Sequence, residues 1–205
     1  MEDLIKETLD KSLPYLEYRK TISGLLSEGK STGAVQSEKL LHYSNLNEAR
    51  MDRLEKTIAI TLENAAKLKL LKKKYIWLVL SESWCGDAAQ LLPVMHKMQA
   101  LSENIDLRIA FRDENEALMN HFLTNGGKSI PKLIIIDAAS LKVMADWGPR
   151  PKEALDLVRN YKEAHGAIDE SIKIELQMWY LRDKGLSTQK ELLELMGTIE
   201  AQEQA

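Results

Sequence analysis

Ser83-Trp84-Cys85-Gly86-Asp87-Ala88-Ala89-Gln90 lies where an apolar run gives way to a helical pattern. Upstream, Tyr75 to Leu80 is apolar without interruption and strand-sized. Downstream, over residues 86–101, Leu91, Leu92, Met95, Met98 and Leu101 recur at helical spacing. The segment therefore reads as the turn from a buried strand into a helix. It places the only cysteine of the chain, Cys85, at a helix N-terminus. Free amides and the positive end of the helix dipole favour a thiolate there. A partly exposed thiolate is a nucleophile for disulfides, peroxides and electrophiles. A lone free cysteine is more ordinarily a small buried hydrophobe. Both readings of Cys85 stand at this point.

Working outward, Ile105, Leu107, Ile109 and Phe111 alternate with the period of a strand. Residues 114–124 read as helix, Leu133 to Ile136 as strand, Asp137 to Ser140 as a turn, and Leu141 to Trp147 as a second strand. Pro151 suits the first turn of a helix reaching about His165. A last helical region covers about 169–196, broken at Gly185, and Thr198 to Ala205 is expected to fray. From residue 75 the order is β-α-β-α-β-β-α. The first two strands need a crossover helix and should be parallel and right-handed. The last two, joined by a short turn, should be antiparallel.

Before Lys74 no strand signal occurs. Leu4, Ile5, Leu9, Leu13, Leu16, Ile22, Leu25 and Leu26 recur at roughly helical spacing, with Pro14 as a break or kink. Glu28 to Gly33 reads as a loop, and a second helix starts at Ser37. Met51, Leu54, Ile58, Leu62, Ala65 and Leu68 form one long apolar stripe. This stripe is expected to pack on the sheet. The run Lys72-Lys73-Lys74 reads as a solvated helix end.

The chain has 205 residues, enough for one domain with an extension or two small ones. Lys and Arg number 28 against 31 Asp and Glu, a formal charge of −3, which argues against a mainly electrostatic nucleic-acid binder. The N-terminus is acidic from Glu2 and does not read as a signal peptide. No apolar run approaches the ~18 residues that span a bilayer. A single cysteine allows no intramolecular disulfide, and a reducing cytoplasm fits. His42, His96, His121 and His165 show no metal-ligand spacing, and Gly126-Gly127 precedes a strand where a phosphate loop should open a helix. No metal or cofactor is expected.

Residues 84–93, WCGDAAQLLP, resemble the active-site segment of the thioredoxin family, WCGPC followed by a helix with a proline. Trp84, Cys85 and Gly86 match its Trp-Cys-Gly. Pro93 falls at its helix proline. Gly126-Gly127-Lys128-Ser129-Ile130-Pro131 resembles its cis-proline segment, and Gly148 its glycine after the last strand. The resemblance implies an α/β fold: a four-stranded mixed sheet with flanking helices. To this the chain adds an N-terminal helical extension over 1–74, packing on a core domain over 75–165, and C-terminal helices and tail over 166–205.

The departures bear on activity. The second cysteine of the family motif is Ala88, so the chain cannot resolve a mixed disulfide by itself. The buried acid six residues before the first cysteine is Val79, and the proline between the two cysteines is Asp87. The Asp87 carboxylate should raise the thiol pKa, and Lys132 can offset this if its amine turns toward Cys85. Glu82 stands where peroxiredoxin chemistry needs a threonine. The family resemblance implies thiol-disulfide exchange through Cys85, with a depressed thiol pKa and a protein disulfide or glutathione as substrate. Trp84, Gly86, Asp87, Ile130, Pro131 and Lys132 are the expected substrate contacts, and Trp147 is a further aromatic close by. The alternative is a binding module of the same fold without redox turnover. Neither nucleic acid nor membrane is expected as a partner.

Overall fold

The computed structural model describes residues 1–202. Five strands form one mixed sheet in the order β1-β3-β2-β4-β5. They are β1 (Leu13–Pro14), β2 (Tyr75–Ser81), β3 (Ile105–Phe111), β4 (Lys132–Asp137) and β5 (Val143–Trp147). The helices are α1 (Glu2–Lys11), α2 (Tyr15–Ser27), α3 (Glu38–Thr57), α4 (Leu62–Lys69), α5 (Gly86–Gln99), α6 (Glu116–Met119), α7 (Lys152–His165), α8 (Glu170–Asp183) and α9 (Leu186–Gln202).

Strands β2 and β3 pair in parallel, joined by α5, while β4 runs antiparallel to both β2 and β5. The centre of the sheet is dry. Trp77, Leu78, Val79, Leu80 and Leu133 to Ile136 are fully buried, as are Leu92, Met95 and Met98 of α5. A strand buried on both faces reads as a continuous apolar run, which is why Tyr75 to Leu80 does not alternate.

The sheet gains one strand over the expected four. Leu13 and Pro14 pair with Ile109 and Arg108 at the β3 edge. Arg108 fixes the crossing by donating to the Ser12 carbonyl at 2.6 Å and the Ser12 hydroxyl at 3.0 Å. A two-residue strand is too short for a periodic signal. Proline at a sheet edge costs no interior ladder bond.

The long stripe after Ser37 is divided. Ile58 is extended, and Thr61 caps α4 by accepting from the Asn64 N–H at 3.1 Å. Buried Gln189 of α9 satisfies the interruption: its amide donates to the Ala59 carbonyl at 3.1 Å and accepts from the Asn64 side chain at 3.1 Å. Apolar spacing continues across the break, so periodicity alone does not see it. The lysine run Lys72 to Lys74 follows α4 in an exposed loop rather than ending a helix.

Three other boundaries shift. Only Glu116–Met119 is α-helical in the segment 114–124, because Asn115 leaves helical geometry. Strand β5 starts at Val143: the Asp137 carboxylate holds the Ala139 and Ser140 N–H groups, and Leu141 has a left-handed φ of 56°. Helix α9 carries through Thr198 to Gln202, and the remainder of the expected frayed tail lies outside the described residues. Among the described residues no helix is long and apolar enough to cross a membrane.

Candidate functional site

Strand β2 delivers Glu82, Ser83 and Trp84 to the head of α5. The Cys85 N–H bonds to the Glu82 carbonyl at 3.1 Å, closing the turn, and Cys85 is the N-cap of the 14-residue helix α5. Its sulfur accepts from the Ala88 N–H at 3.4 Å and lies 3.3 Å from the Ile130 carbonyl, to which the thiol donates. The side chain is 8% exposed. The Ile130–Pro131 peptide is cis, and both residues are buried beside the thiol.

Burial pushes the Cys85 thiol up to about 12, and the Asp87 carboxylate adds to the rise. The Ala88 and Asp87 amides and the Arg150 guanidinium pull the other way and do not prevail. The depressed pKa expected from the helix N-terminus is therefore absent. The dipole acts as anticipated, but an anion in a nearly closed apolar pocket costs more than the amides return.

Asp87 is locked in place. One carboxylate oxygen accepts from the Tyr180 hydroxyl at 2.8 Å, and the other pairs with Arg150 at 2.7 Å. Burial, then the nearby Asp87 charge, holds the Tyr180 phenol well above its ordinary pKa, so it stays a donor. Lys132 does not turn toward the thiol. Its amine, nearly buried, pairs with Asp146 at 2.8 Å across the β4–β5 ladder. Arg150 thus takes the part expected of Lys132. It follows Gly148 and a second cis peptide, Gly148–Pro149.

Trp84 is half-buried, with the Arg112 guanidinium 5.0 Å from its ring centre. Trp147 packs against the core and donates from its indole to Glu191 at 2.8 Å. Ala88 is buried where the family motif has its second sulfur, and Val79 is sealed in the core. Among the described residues no cluster of three His, Cys, Asp or Glu side chains can hold a metal.

Helices α3 and α8 complete the surroundings. A buried polar seam ties α3 and the loop before it to the motif. The Ser83 hydroxyl meets the Thr32 N–H at 3.1 Å, the Thr32 hydroxyl at 3.0 Å and the Ser44 hydroxyl at 2.8 Å. Asn47 donates to the Ser83 carbonyl at 2.8 Å. Behind this seam Glu82 is fully buried; its carboxylate accepts from the Asp113 N–H at 2.9 Å, and burial raises its pKa. From the other side α8 reaches the motif through Tyr180 and through Gln177, which accepts from Gln90 at 2.7 Å. Between α3, α8 and the Trp84–Asp87 turn lies a cavity of about 680 Å³. Sequence reading had no signal for Arg150, Tyr180, Ser44 or Asn47, because each belongs to the site only through tertiary contact.

The family model for thioredoxin matches residues 33–164, well over half of the chain and including α3. A search of curated proteins finds no match. Two solved structures are similar along nearly the whole chain. One is a protein of unknown function from Pseudomonas aeruginosa, 16% identical, covering 96% of this chain and 94% of that one at a TM-score of 0.54. The other is an HIV epitope scaffold, 18% identical, covering 92% of this chain and 96% of that one at a TM-score of 0.51. Their identity is low enough that the likeness concerns the fold alone. Joined to the strand-turn-helix that presents Trp84, Cys85 and Gly86, the family match shows that the chain belongs to the thioredoxin family.

Proposed function

We propose that this chain is a thioredoxin-fold binding module, with the Trp84–Asp87 turn at its binding face and without redox turnover. The observation that carries the reading is the state of Cys85. The sulfur is nearly closed off, hydrogen-bonded to the Ile130 carbonyl, and its pKa is pushed up to about 12. At neutral pH the thiolate fraction is negligible, and thiolate is the attacking form. Ala88 removes the group that would resolve a mixed disulfide. The Ile130 carbonyl, which a bound strand would need, is already engaged by the thiol. What stays open is the other edge of the motif, where Trp84, Gly86 and Asp87 line the cavity under α3 and α8.

Thiol-disulfide exchange is the competing reading, and the Ala88 N–H on the sulfur speaks for it. In that chemistry the Cys85 thiolate forms a new S–S bond and expels one substrate thiolate. A second thiol, from glutathione or a protein, then releases the product.

The test is the rate of Cys85 alkylation by iodoacetamide against pH on the folded protein. Slow reaction at neutral pH, with a midpoint well above the free value of about 8.5, is the expected result. Fast reaction with a midpoint below that value would replace the binding reading with exchange chemistry.

A further inference from the structure

We infer that the cavity between α3, α8 and the Trp84–Asp87 turn binds a small organic anion, a carboxylate carried on an apolar chain. This rests on the reading of that face as a binding surface and names its ligand class. The volume, about 680 Å³, falls in the ordinary range of small-molecule sites.

The charge of the lining opposes that of the protein. Lys39, Arg50, Arg150 and Lys173 face Asp87 and Glu170 there, in a chain whose net charge is −3. Two of the cations are matched: Arg150 by Asp87 at 2.7 Å and Lys173 by Glu170 at 3.1 Å. Arg50 is not. Its guanidinium donates to the neutral amide oxygen of Asn47 at 2.8 Å, and among the described residues no carboxylate pairs with it. Burial, then the neighbouring Arg53, weakens its hold on its proton, and the Asp87 charge offsets this only in part. Arg50 also stands on the motif itself: a Cβ at Gly86 would lie 3.6 Å from its Nη1. A half-buried guanidinium with no carboxylate in direct contact is a ready partner for an incoming one, with which it forms charge-assisted bonds.

The rest of the lining selects against a bare inorganic anion. Leu46 of α3 and Ile174 and Met178 of α8 are 40%, 59% and 45% exposed, and all three border this one cavity together with Leu40 and Trp84. Large apolar side chains from two separate helices border the same cavity as Arg50. Such a cluster marks a ligand surface more than a solvated one. A carboxylate at Arg50 with its chain along Ile174 and Met178 uses both features. Phosphate uses only the first, and a neutral alcohol only the second.

The experiment is titration calorimetry of the full chain with sodium decanoate, 1-decanol and sodium phosphate, each below aggregation. Decanoate is expected to bind at a single site, at least tenfold tighter than decanol, with phosphate showing no comparable binding. Arg50→Gln should weaken decanoate at least tenfold and leave decanol unchanged. Ile174→Glu, at an exposed position with no folding role, should also weaken decanoate, which guards against misfolding of the Arg50 variant. No decanoate binding at millimolar concentration, equal binding of decanol, or undiminished binding in both variants would overturn the inference. Slow Cys85 alkylation alongside those results would leave the binding reading standing and remove only the ligand class. Fast alkylation at neutral pH would remove the reading itself.

Discussion

On one side of Cys85, Ile130 and Pro131 close over the sulfur, and the Ile130 carbonyl accepts the thiol's hydrogen bond. On the other, Gly86 and Asp87 face a cavity lined by cations and exposed apolar side chains. The closed side is nearly dry, and Gly148 packs against its Pro131 backbone. The open side is held by polar contacts from distant elements: Tyr180 and Arg150 on Asp87, Ser44 and Asn47 on Ser83. A motif that exposes a nucleophile in a redox enzyme here keeps the nucleophile inside and leaves only Trp84 and Gly86 beside it partly exposed. The difference is one of solvation more than of residue identity, since Trp84, Cys85 and Gly86 are unchanged from the family pattern.

The sharpest way to break that contrast is Gly148→Ala. Gly148 has a φ of 113°, and a Cβ there would lie 2.4 Å from the Pro131 carbonyl oxygen. Backbone strain and the clash together should cost about 4 kcal/mol in urea denaturation. The displaced loop should also speed Cys85 alkylation. An unchanged alkylation rate would mean that the loop does not seal the thiol. Next in size is Asp87→Ala. It leaves the Arg150 cation and the Tyr180 hydroxyl without their partner, and a loss of about 3 kcal/mol is expected. A loss below about 1 kcal/mol would show the Asp87 lock to be a surface contact.

Ser83→Ala probes the seam that carries α3. It removes a buried hydroxyl that serves Thr32 and Ser44, and about 2 kcal/mol should be lost. Alkylation of Cys85 should stay slow, because this seam supports the open side only; acceleration would tie the two sides together. The smallest effect, taken per pH unit, is a pH slope. The folded thiol titrates near 12 and the unfolded one near 9, so its neutral form stabilises the fold fully below about pH 9. That contribution declines as the pH climbs toward 12. The stability difference between the native chain and Cys85→Ser should therefore fall by up to about 1.4 kcal/mol per pH unit over that window. A flat difference would place the thiol in solvent.

The succession of elements from β2 to α7 was legible because each carries its own pattern. Tyr75 to Leu80 is apolar throughout, Ile105 to Phe111 alternates, and Pro151 marks a helix start. The break between α3 and α4 was not legible, since Gln189 repairs it from far along the chain. The site was half legible. Residues 84–87 announce a strand-turn-helix with a thiol at its head. Whether that thiol is charged depends on how tightly Ile130 and Pro131 close, which local sequence does not encode. Lys132 shows the same limit: its spacing brought it near Cys85 in expectation, but strand alternation aims it at Asp146. Arg150 and Tyr180 could be found only by folding the chain.

Gln189 has a consequence for how the chain is made. Its side chain supplies the bonds missing between α3 and α4, and Tyr180 completes the setting of Asp87. Synthesis runs from the N-terminus, so strand β2 and the Cys85 turn emerge well before either residue. During translation the nascent sheet can assemble while Asp87 and the break after α3 still lack these partners. A ribosome stalled before α8 would hold a thioredoxin sheet whose Asp87 lacks the Tyr180 hydroxyl. Release of the last helices then supplies both partners and, in the same step, walls the cavity beside the motif.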